Sequence, residues 1–285
     1  LQTAMMQRAL HLAASAGNTT SPNPKVGCVI AHGEQIVGEG FHVQAGAPHA
    51  EVHALRQAGD LARGATAYVT LEPCSHTGKT PPCANALIDA GVAEVICAMV
   101  DPNPQVAGQG LARLQAASIH TAHGLLSEQA QALNRGFLSR IQLNRPFVTL
   151  KLAASLDGKT ALANGDSQWI TGAAARADVH KERAIRNAII TGSGTVLADN
   201  PQLNVRGVAC LKQPVRVVLD RQLHSPASAQ IFDTTVAPTW LFTAAELDTS
   251  AYSARGVRCF AWEDAQAADS LKFILHTLAQ EGIND

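Results

Sequence analysis

Three short stretches of the chain set metal-binding side chains beside a carboxylate: Pro48-His49-Ala50-Glu51, Thr70-Leu71-Glu72-Pro73-Cys74 and Thr80-Pro81-Pro82-Cys83. One imidazole and two thiolates are a ligand set for a catalytic zinc, which keeps its fourth position for water. The local pattern predicts His49 at the opening of a helix, Cys74 at the close of a strand and Cys83 at the opening of the next helix. At a helix start the unpaired N–H groups and the dipole favour the thiolate a metal requires, and Pro82 suits that first turn. Glu51 follows His49 by two residues. Its carboxylate can take a proton from water on the metal and hand it to a leaving amine. The competing readings are a structural zinc site or no metal at all. A structural site uses four protein ligands and has no need of a free carboxylate.

The His-x-Glu and Pro-Cys pairs are similar to those of zinc deaminases acting on nucleobases. Those proteins separate their cysteines by two residues. Here the gap is eight, Ser75 to Pro82, which predicts a wider pocket mouth with His76 and Lys79 near it.

The elements that must carry these residues alternate in type. Met5–Ala14 reads as a helix, Val26–Ile30 and Gln35–Gly40 as strands, Glu51–Ala58 as a helix stopped by Gly59, and Ala65–Leu71 as a strand. Pro82–Ala90 reads as a helix, Val92–Val100 as a buried strand, Gln109–Ala117 as a helix and Glu128–Ile141 as another. Asn144-Arg145-Pro146 breaks that pattern, and residues 147–152 read as a new strand. The expected division is therefore 1–144 and 145–285. In the second part Ala173–Arg186 and Ala265–Gln280 read as helices; Ala188–Thr191, Val215–Asp220 and Thr239–Thr243 read as strands. Alternation of this kind predicts an α/β fold, with sheets covered by helices. The last helix runs into Gly282-Ile283-Asn284-Asp285, where another strand normally follows, so the second domain is expected to be incomplete; a start without Met suggests residues ahead of Leu1.

Composition narrows the function. The chain has 285 residues, 46% hydrophobic and only 4% aromatic, and a net charge of −1 from 22 basic and 23 acidic side chains. No basic field exists to collect nucleic acid, and no basic or long apolar segment marks a membrane partner. Six scattered cysteines do not form a secreted disulfide scaffold, so a reducing cytoplasm is expected. Cys28, Cys97, Cys210 and Cys259 read as buried small hydrophobes. His11, His120, His123, His180 and His276 read as structural or surface residues. Thr191-Gly192-Ser193-Gly194-Thr195 invites a dinucleotide reading. The Gly-x-Gly-x-x-Gly fingerprint fails at Leu197, leaving a glycine-rich turn whose N–H groups can meet phosphate.

Longer strings carry a resemblance over the whole chain. They are Pro22-Asn23-Pro24-Lys25-Val26-Gly27, His49 to Ala54, Thr70 to Cys83, Asp101-Pro102-Asn103-Pro104 with Gly108 and Gly110, Lys151 to Lys159, Ser167 to Thr171 and Thr195 to Pro201. With these the chain resembles the bifunctional pyrimidine deaminase–reductases of riboflavin biosynthesis. The resemblance implies a cytidine-deaminase-like α/β/α domain followed by a dihydrofolate-reductase-like α/β domain. It implies zinc-dependent loss of the 2-amino group of 2,5-diamino-6-ribosylamino-4(3H)-pyrimidinone 5′-phosphate, then NADPH-dependent reduction of the ribose to a ribityl chain. It places Asn23, His42, His76 and Lys79 around the first substrate, with Lys79 toward its phosphate. It places Ala153, Trp169, Thr195 and Asp199 at the cofactor, and Lys151, Ser167, Arg183, Leu203 and Arg206 at the second substrate. The expected partners are a small phosphorylated pyrimidine and other copies of the chain, a dimer being favoured. Two alternatives stand beside this: a single-function nucleobase deaminase whose second domain only dimerises, and a zinc-stabilised binding module.

Overall fold

Gly-Cys-Val-Ile-Ala-His alternates its side chains between two faces, and both faces are buried. In the computed structural model this is strand β1 (Gly27–His32), near the centre of a sheet ordered β2-β1-β3-β4-β5. The structure describes residues 1–75, 82–104, 106–262 and 267–285. They fall into two units: Leu1–Phe147 with Asn284, and Val148–Ile283 with Asp285.

In the first unit the order is α1 (Gln2–Ala14), β1, β2 (Gln35–Phe41), α2 (Ala50–Ala58), β3 (Thr66–Val69), α3 (Cys83–Ala90), β4 (Glu94–Cys97), α4 (Gln109–Ala116), β5 (His120–His123), α5 (Ser127–Leu133) and α6 (Arg135–Leu143). β1 runs antiparallel to β2 and β3, while β3, β4 and β5 are parallel. The period-2 pattern of the strands sorts the core into two plies. Cys28, Ile30, Ala67, Val69 and Val95 pack with Ala54 of α2, Leu87 of α3 and Leu114 of α4. Val29, Ala31, Tyr68 and Ile96 pack with Met6 and Ala9 of α1 and Ala130 of α5.

Glycines let two helices lie directly on the sheet. A Cβ at Gly27 would stand 2.0 Å from the Ala9 carbonyl oxygen of α1, and one at Gly38 would stand 2.2 Å from the Ala54 carbonyl oxygen of α2. At Gly40 it would meet the Cβ of His53 at 2.5 Å. No larger residue fits without moving the helix backbone.

The expected helix over Glu128–Ile141 is two helices, divided at Asn134. Its side chain accepts from the Lys25 N–H at 2.8 Å and donates to the Lys25 carbonyl at 2.9 Å. That pairing with a distant segment draws the backbone off the helical path, to φ −110° and ψ 19°.

The second unit contains α7 (Ala173–Ala184), β6 (Ala188–Gly192), α8 (Ser193–Asp199), β7 (Val215–Leu219), β8 (Thr239–Thr243), α9 (Ser250–Ser253), β9 (Arg258–Ala261) and α10 (Ala267–Gln280). The strands pair in parallel in the order β6-β7-β8-β9. Val196 of α8, Val218, Leu241, Ile231, Phe232 and Tyr252 pack in one cluster. Val217, Phe242, Ile274, Leu278 and Ile283 pack in another. Strand β9 and the short α9 were not expected from the sequence.

Two expectations are corrected here. Residues 147–152 form no strand: Val148, Leu150 and Leu152 are exposed, and among the described residues no strand pairs with them. An apolar alternation without a partner ladder has nothing to hold it extended. The glycine-rich turn at 191–195 is instead the end of β6 and the start of α8. Val196, buried in the core, draws the chain into the helix directly after Gly192.

Candidate metal centre and cationic cluster

The metal-binding atoms gather at the carboxyl end of β3 and the first turns of α2 and α3. His49 is the residue before α2, with extended backbone and no side-chain capping bond, so its ring is free to turn toward the cysteines. His49 Nδ1 lies 3.7 Å from Cys74 Sγ and 3.3 Å from Cys83 Sγ, and the three donor atoms lie within 4.8 Å of one another. Zinc with Zn–S bonds of about 2.3 Å and Zn–N bonds of about 2.0 Å in a tetrahedron needs N···S edges of roughly 3.6 Å. The donor set and both measured edges fit that ion.

Cys74 also takes the place of a cap for α3. The Cys83 N–H donates to Cys74 Sγ at 3.3 Å, and the Ala84 N–H donates to the Cys74 carbonyl at 3.1 Å. The two cysteines are charged unequally. The hydrogen bond from the Cys83 side chain, joined by those from His49 and the Cys83 N–H, holds the Cys74 thiol down to about 4. The same Cys83–Cys74 bond, with burial, pushes the Cys83 thiol up. The bond to Cys74 raises His49. A divalent cation bound here would displace the thiol protons and favour both sulfurs as thiolates.

Glu51, in the first turn of α2, is 3% exposed, and burial pushes its carboxyl above the ordinary carboxylate range. Burial thus favours the protonated form, which suits a carboxyl that must take up a proton and pass it on. His42, just beyond β2, is buried with its ring edge-on to that of His49. Asn23 donates its amide to His42 Nε2. The structure therefore brings His42 against His49, with Asn23 behind it on the far ring nitrogen of His42. His76 and Lys79 lie outside the described residues.

Sequence reasoning missed Glu72. Its carboxylate, 4% exposed, accepts backbone N–H groups from Asp101, Gly108, Gly110 and Leu111. The only sequence signal was the Gly108-x-Gly110 pair.

In the second unit Arg183 and Arg206 meet around Asn204. Arg183 Nη1 donates to the Asn204 carbonyl at 3.4 Å, and Arg206 Nη1 donates to Asn204 Oδ1 at 2.5 Å and to Gln202 Oε1 at 3.1 Å. Burial first, then the charge of Arg206, lowers Arg183. His180, read from sequence as structural or surface, lies one turn before Arg183 and accepts the Arg206 N–H on Nδ1. Burial and the two guanidiniums lower His180, which keeps its ring neutral and able to accept. The described bonds of the two guanidiniums, one from Arg183 and two from Arg206, go to neutral oxygens, so the pair offers positive charge to an anion.

Arg216, on β7, holds the loop over residues 200–206 through the Gln202 carbonyl. It is fully buried and donates to the carbonyls of Gln202, Asp233 and Ala237 and to Thr239 Oγ1. Leu203, in the same loop, has φ of 49°, uncommon for a bulky side chain. Ser167 is half-buried, Lys151 is exposed and Ala153 half-buried. Among the described residues no hydrogen bond joins Lys151, Ala153 or Trp169 to the Arg183–Arg206 cluster. Trp169 is 68% exposed, with the Arg176 guanidinium 4.3 Å from its ring centroid. Thr195 and Asp199 are exposed on α8, one turn apart. Of the other cysteines, Cys28 and Cys97 are buried, whereas Cys210 and Cys259 are only partly so. Among the described residues no helix is long and apolar enough to cross a membrane.

Residues 1–99 match the cytidine and deoxycytidylate deaminase zinc-binding region, and residues 146–285 match the RibD C-terminal domain. The chain is 53% identical over 259 residues to the riboflavin biosynthesis protein RibD of Haemophilus influenzae, covering 87% of this chain and 69% of that one. Its fold superposes on Acinetobacter baumannii RibD with a TM-score of 0.91 at 46% identity, over 100% of this chain and 79% of that one. It superposes on the diaminohydroxyphosphoribosylaminopyrimidine deaminase/5-amino-6-(5-phosphoribosylamino)uracil reductase of Thermotoga maritima with a TM-score of 0.90 at 39% identity, again over 100% and 79%. With a cytidine-deaminase-like unit in front of a dihydrofolate-reductase-like one, the chain belongs to the RibD family, the bifunctional deaminase–reductases of riboflavin biosynthesis.

Proposed function

We propose that the first unit hydrolyses the 2-amino group of 2,5-diamino-6-ribosylamino-4(3H)-pyrimidinone 5′-phosphate, and that the second reduces the ribose of the product with NADPH. The observation that carries the first half is the pair of N···S edges, 3.3 and 3.7 Å, beside a buried carboxyl two residues along. His49 Nδ1, Cys74 Sγ and Cys83 Sγ hold zinc. When bound, zinc supplies a Lewis acid that makes water a nucleophile near neutral pH. Glu51 accepts the proton lost by the attacking water, holds it while the new carbon–oxygen bond forms, and delivers it to the amine as the carbon–nitrogen bond breaks. Asn23 and His42 orient the ring. The long cysteine-to-cysteine loop, with His76 and Lys79, meets the ribose phosphate.

For the second half, Arg183 and Arg206 bind the phosphate of the substrate, with Lys151, Ser167 and Leu203 around its sugar. Ala153, Trp169, Thr195 and Asp199 hold NADPH. An exposed indole beside the Arg176 guanidinium fits a flat, anionic ligand. Six free cysteines support a reducing, cytoplasmic setting.

The test is a mass-resolved assay of the zinc-loaded protein with the phosphorylated diaminopyrimidinone, with and without NADPH. Replacement of the amine by oxygen is expected without NADPH, and addition of two hydrogens with it. The first change alone supports a single-function deaminase. Neither change in a zinc-loaded protein overturns the proposal.

A further inference from the structure

The Asp101-Pro102-Asn103-Pro104 and Gly108-x-Gly110 strings have no part in the chemistry above, yet they surround one buried carboxylate. Glu72 Oε2 accepts from the Asp101 N–H at 3.1 Å and the Gly108 N–H at 2.9 Å; Oε1 accepts from the Gly110 N–H at 2.8 Å and the Leu111 N–H at 3.3 Å. Each oxygen is thus matched to two donors, and a loop of backbone N–H groups forms a nest for an anion supplied by the chain itself. A buried charge is tolerated where its hydrogen bonds are complete.

This contact is one of three that α4 and its leading loop make with the segment around Cys74. Gly110 lies so close to the Pro73 carbonyl that a Cβ there would stand 1.9 Å from its oxygen. Arg113, one turn further along α4, donates Nη1 to the Ser75 carbonyl at 2.9 Å. Residues 72, 73 and 75 are gripped from the α4 side, and they bracket Cys74. From the other side the sulfur and carbonyl of Cys74 take the first N–H groups of α3. The sulfur is therefore fixed between two helix starts.

We infer that Glu72 is a positioning residue for the metal site: by gathering the N–H groups of the 101–111 loop it fixes the Glu72–Ser75 segment and sets Cys74 Sγ at zinc-binding distance from His49 and Cys83. The inference rests on the zinc reading above. Partners that orient metal ligands from one bond away are worth roughly 10–100-fold in metal affinity. If Glu72 acts this way, coupling is reciprocal: the loop favours zinc, and zinc tightens the loop. A carboxylate that served only the fold would protect the loop equally with and without metal.

Hydrogen exchange on the wild-type chain, zinc-loaded and chelator-treated, reads this coupling directly. The amides of Asp101, Gly108, Gly110 and Leu111 are expected to exchange roughly tenfold faster without zinc, beyond any change at Ala9 and Leu10 of α1. Glu72→Gln replaces one acceptor oxygen with a donor and faces two N–H groups with an NH2. Its zinc affinity, measured by competition with a chromophoric chelator, is expected to fall about 10–100-fold, and the thiolate-to-cobalt absorption of its cobalt form to shift. Should Glu72→Gln fail to fold, the wild-type exchange comparison decides alone. Wild-type protein that takes up zinc with no selective change at the four amides overturns the role of Glu72 and leaves the metal site standing. So does a folded Glu72→Gln with unaltered zinc affinity and cobalt spectrum. Wild-type protein that takes up no zinc overturns the zinc reading itself and this inference with it.

Discussion

His42 and His49 meet edge to face, their ring centroids 5.2 Å apart and their planes at 80°. The contact is set through the backbone as well. His42 Nδ1 donates to the Pro48 carbonyl at 3.1 Å, and Nε2 accepts from the Asn23 amide at 3.1 Å. Burial holds His42 below the ordinary imidazole range, which keeps it neutral and preserves this donor–acceptor order. The end of β2 thus steers the residue that precedes the first ligand. His42→Ala is expected to keep zinc and to lower deaminase kcat/KM about tenfold, the equivalent of one lost hydrogen bond of about 1 kcal/mol together with some loss of orientation. Metal analysis with steady-state kinetics checks it; loss of zinc, or unchanged kinetics, contradicts it.

Glu51→Gln preserves shape and removes the proton carrier. Zinc content is expected to stay stoichiometric while deamination falls by about 10²–10⁴-fold. Because one carboxyl serves both water and amine, the upper end of that range is expected. Near-normal turnover would show that another group moves the proton.

Arg183 and Arg206 both lean on Asn204, so their effects are expected to be coupled. Each alanine substitution is expected to raise KM for the phosphorylated uracil substrate roughly 10–100-fold, as for loss of a charge-assisted hydrogen bond. The double variant is expected to lose less than the product of the two. A dephosphorylated analogue should feel neither change. Equal losses on both compounds would remove the phosphate from the account.

Arg216→Met keeps length and apolar bulk and removes the donors to the Gln202, Asp233 and Ala237 carbonyls. The Asp233 and Ala237 carbonyls keep the Val236 N–H and the Thr239 hydroxyl as donors, so the Gln202 carbonyl is the one that loses its described donor. At about 1–3 kcal/mol per unsatisfied buried acceptor, the second unit is expected to lose about 1–3 kcal/mol. Denaturant unfolding followed by the fluorescence of Trp240 and Trp262 measures it. An unaltered midpoint would show that the arginine contributes no net stability.

The cluster of metal-binding side chains was legible in the sequence because such a site restricts residue type sharply and each member sits at an element terminus with its own local signal. His49, Cys74 and Cys83 could be read from three short strings. Glu72 could not, because its partners are main-chain N–H groups and leave no trace in side-chain chemistry beyond two glycines. Arg216 was invisible for the same reason: a lone charge in Val-Arg-Val-Val reads as a solvent-facing position, yet the side chain bonds mostly to carbonyls. His180 reads as an ordinary helix histidine until the fold brings the Arg206 N–H to it. Helices α2, α3 and α4 were found within one residue of their ends by apolar spacing and α1 within three, whereas the break at Asn134 came from a contact 109 residues away along the chain. The strand expected over 147–152 failed because a strand is a property of a pair, and alternation describes only one member.

The glycines of β1 and β2 carry a consequence for how this protein can change. Since Gly38 meets the Ala54 carbonyl and Gly40 meets Ala50 and His53, the height of α2 above the sheet is a main-chain distance, with no rotamer in between to adjust it. Helices that ride on side chains drift as their cores are rewritten; this one cannot, short of a strand or helix moving bodily. Substitutions elsewhere in the interior can therefore accumulate as gains or losses of stability while His49 and Glu51 stay in place, so that robustness and catalytic geometry are free to vary independently.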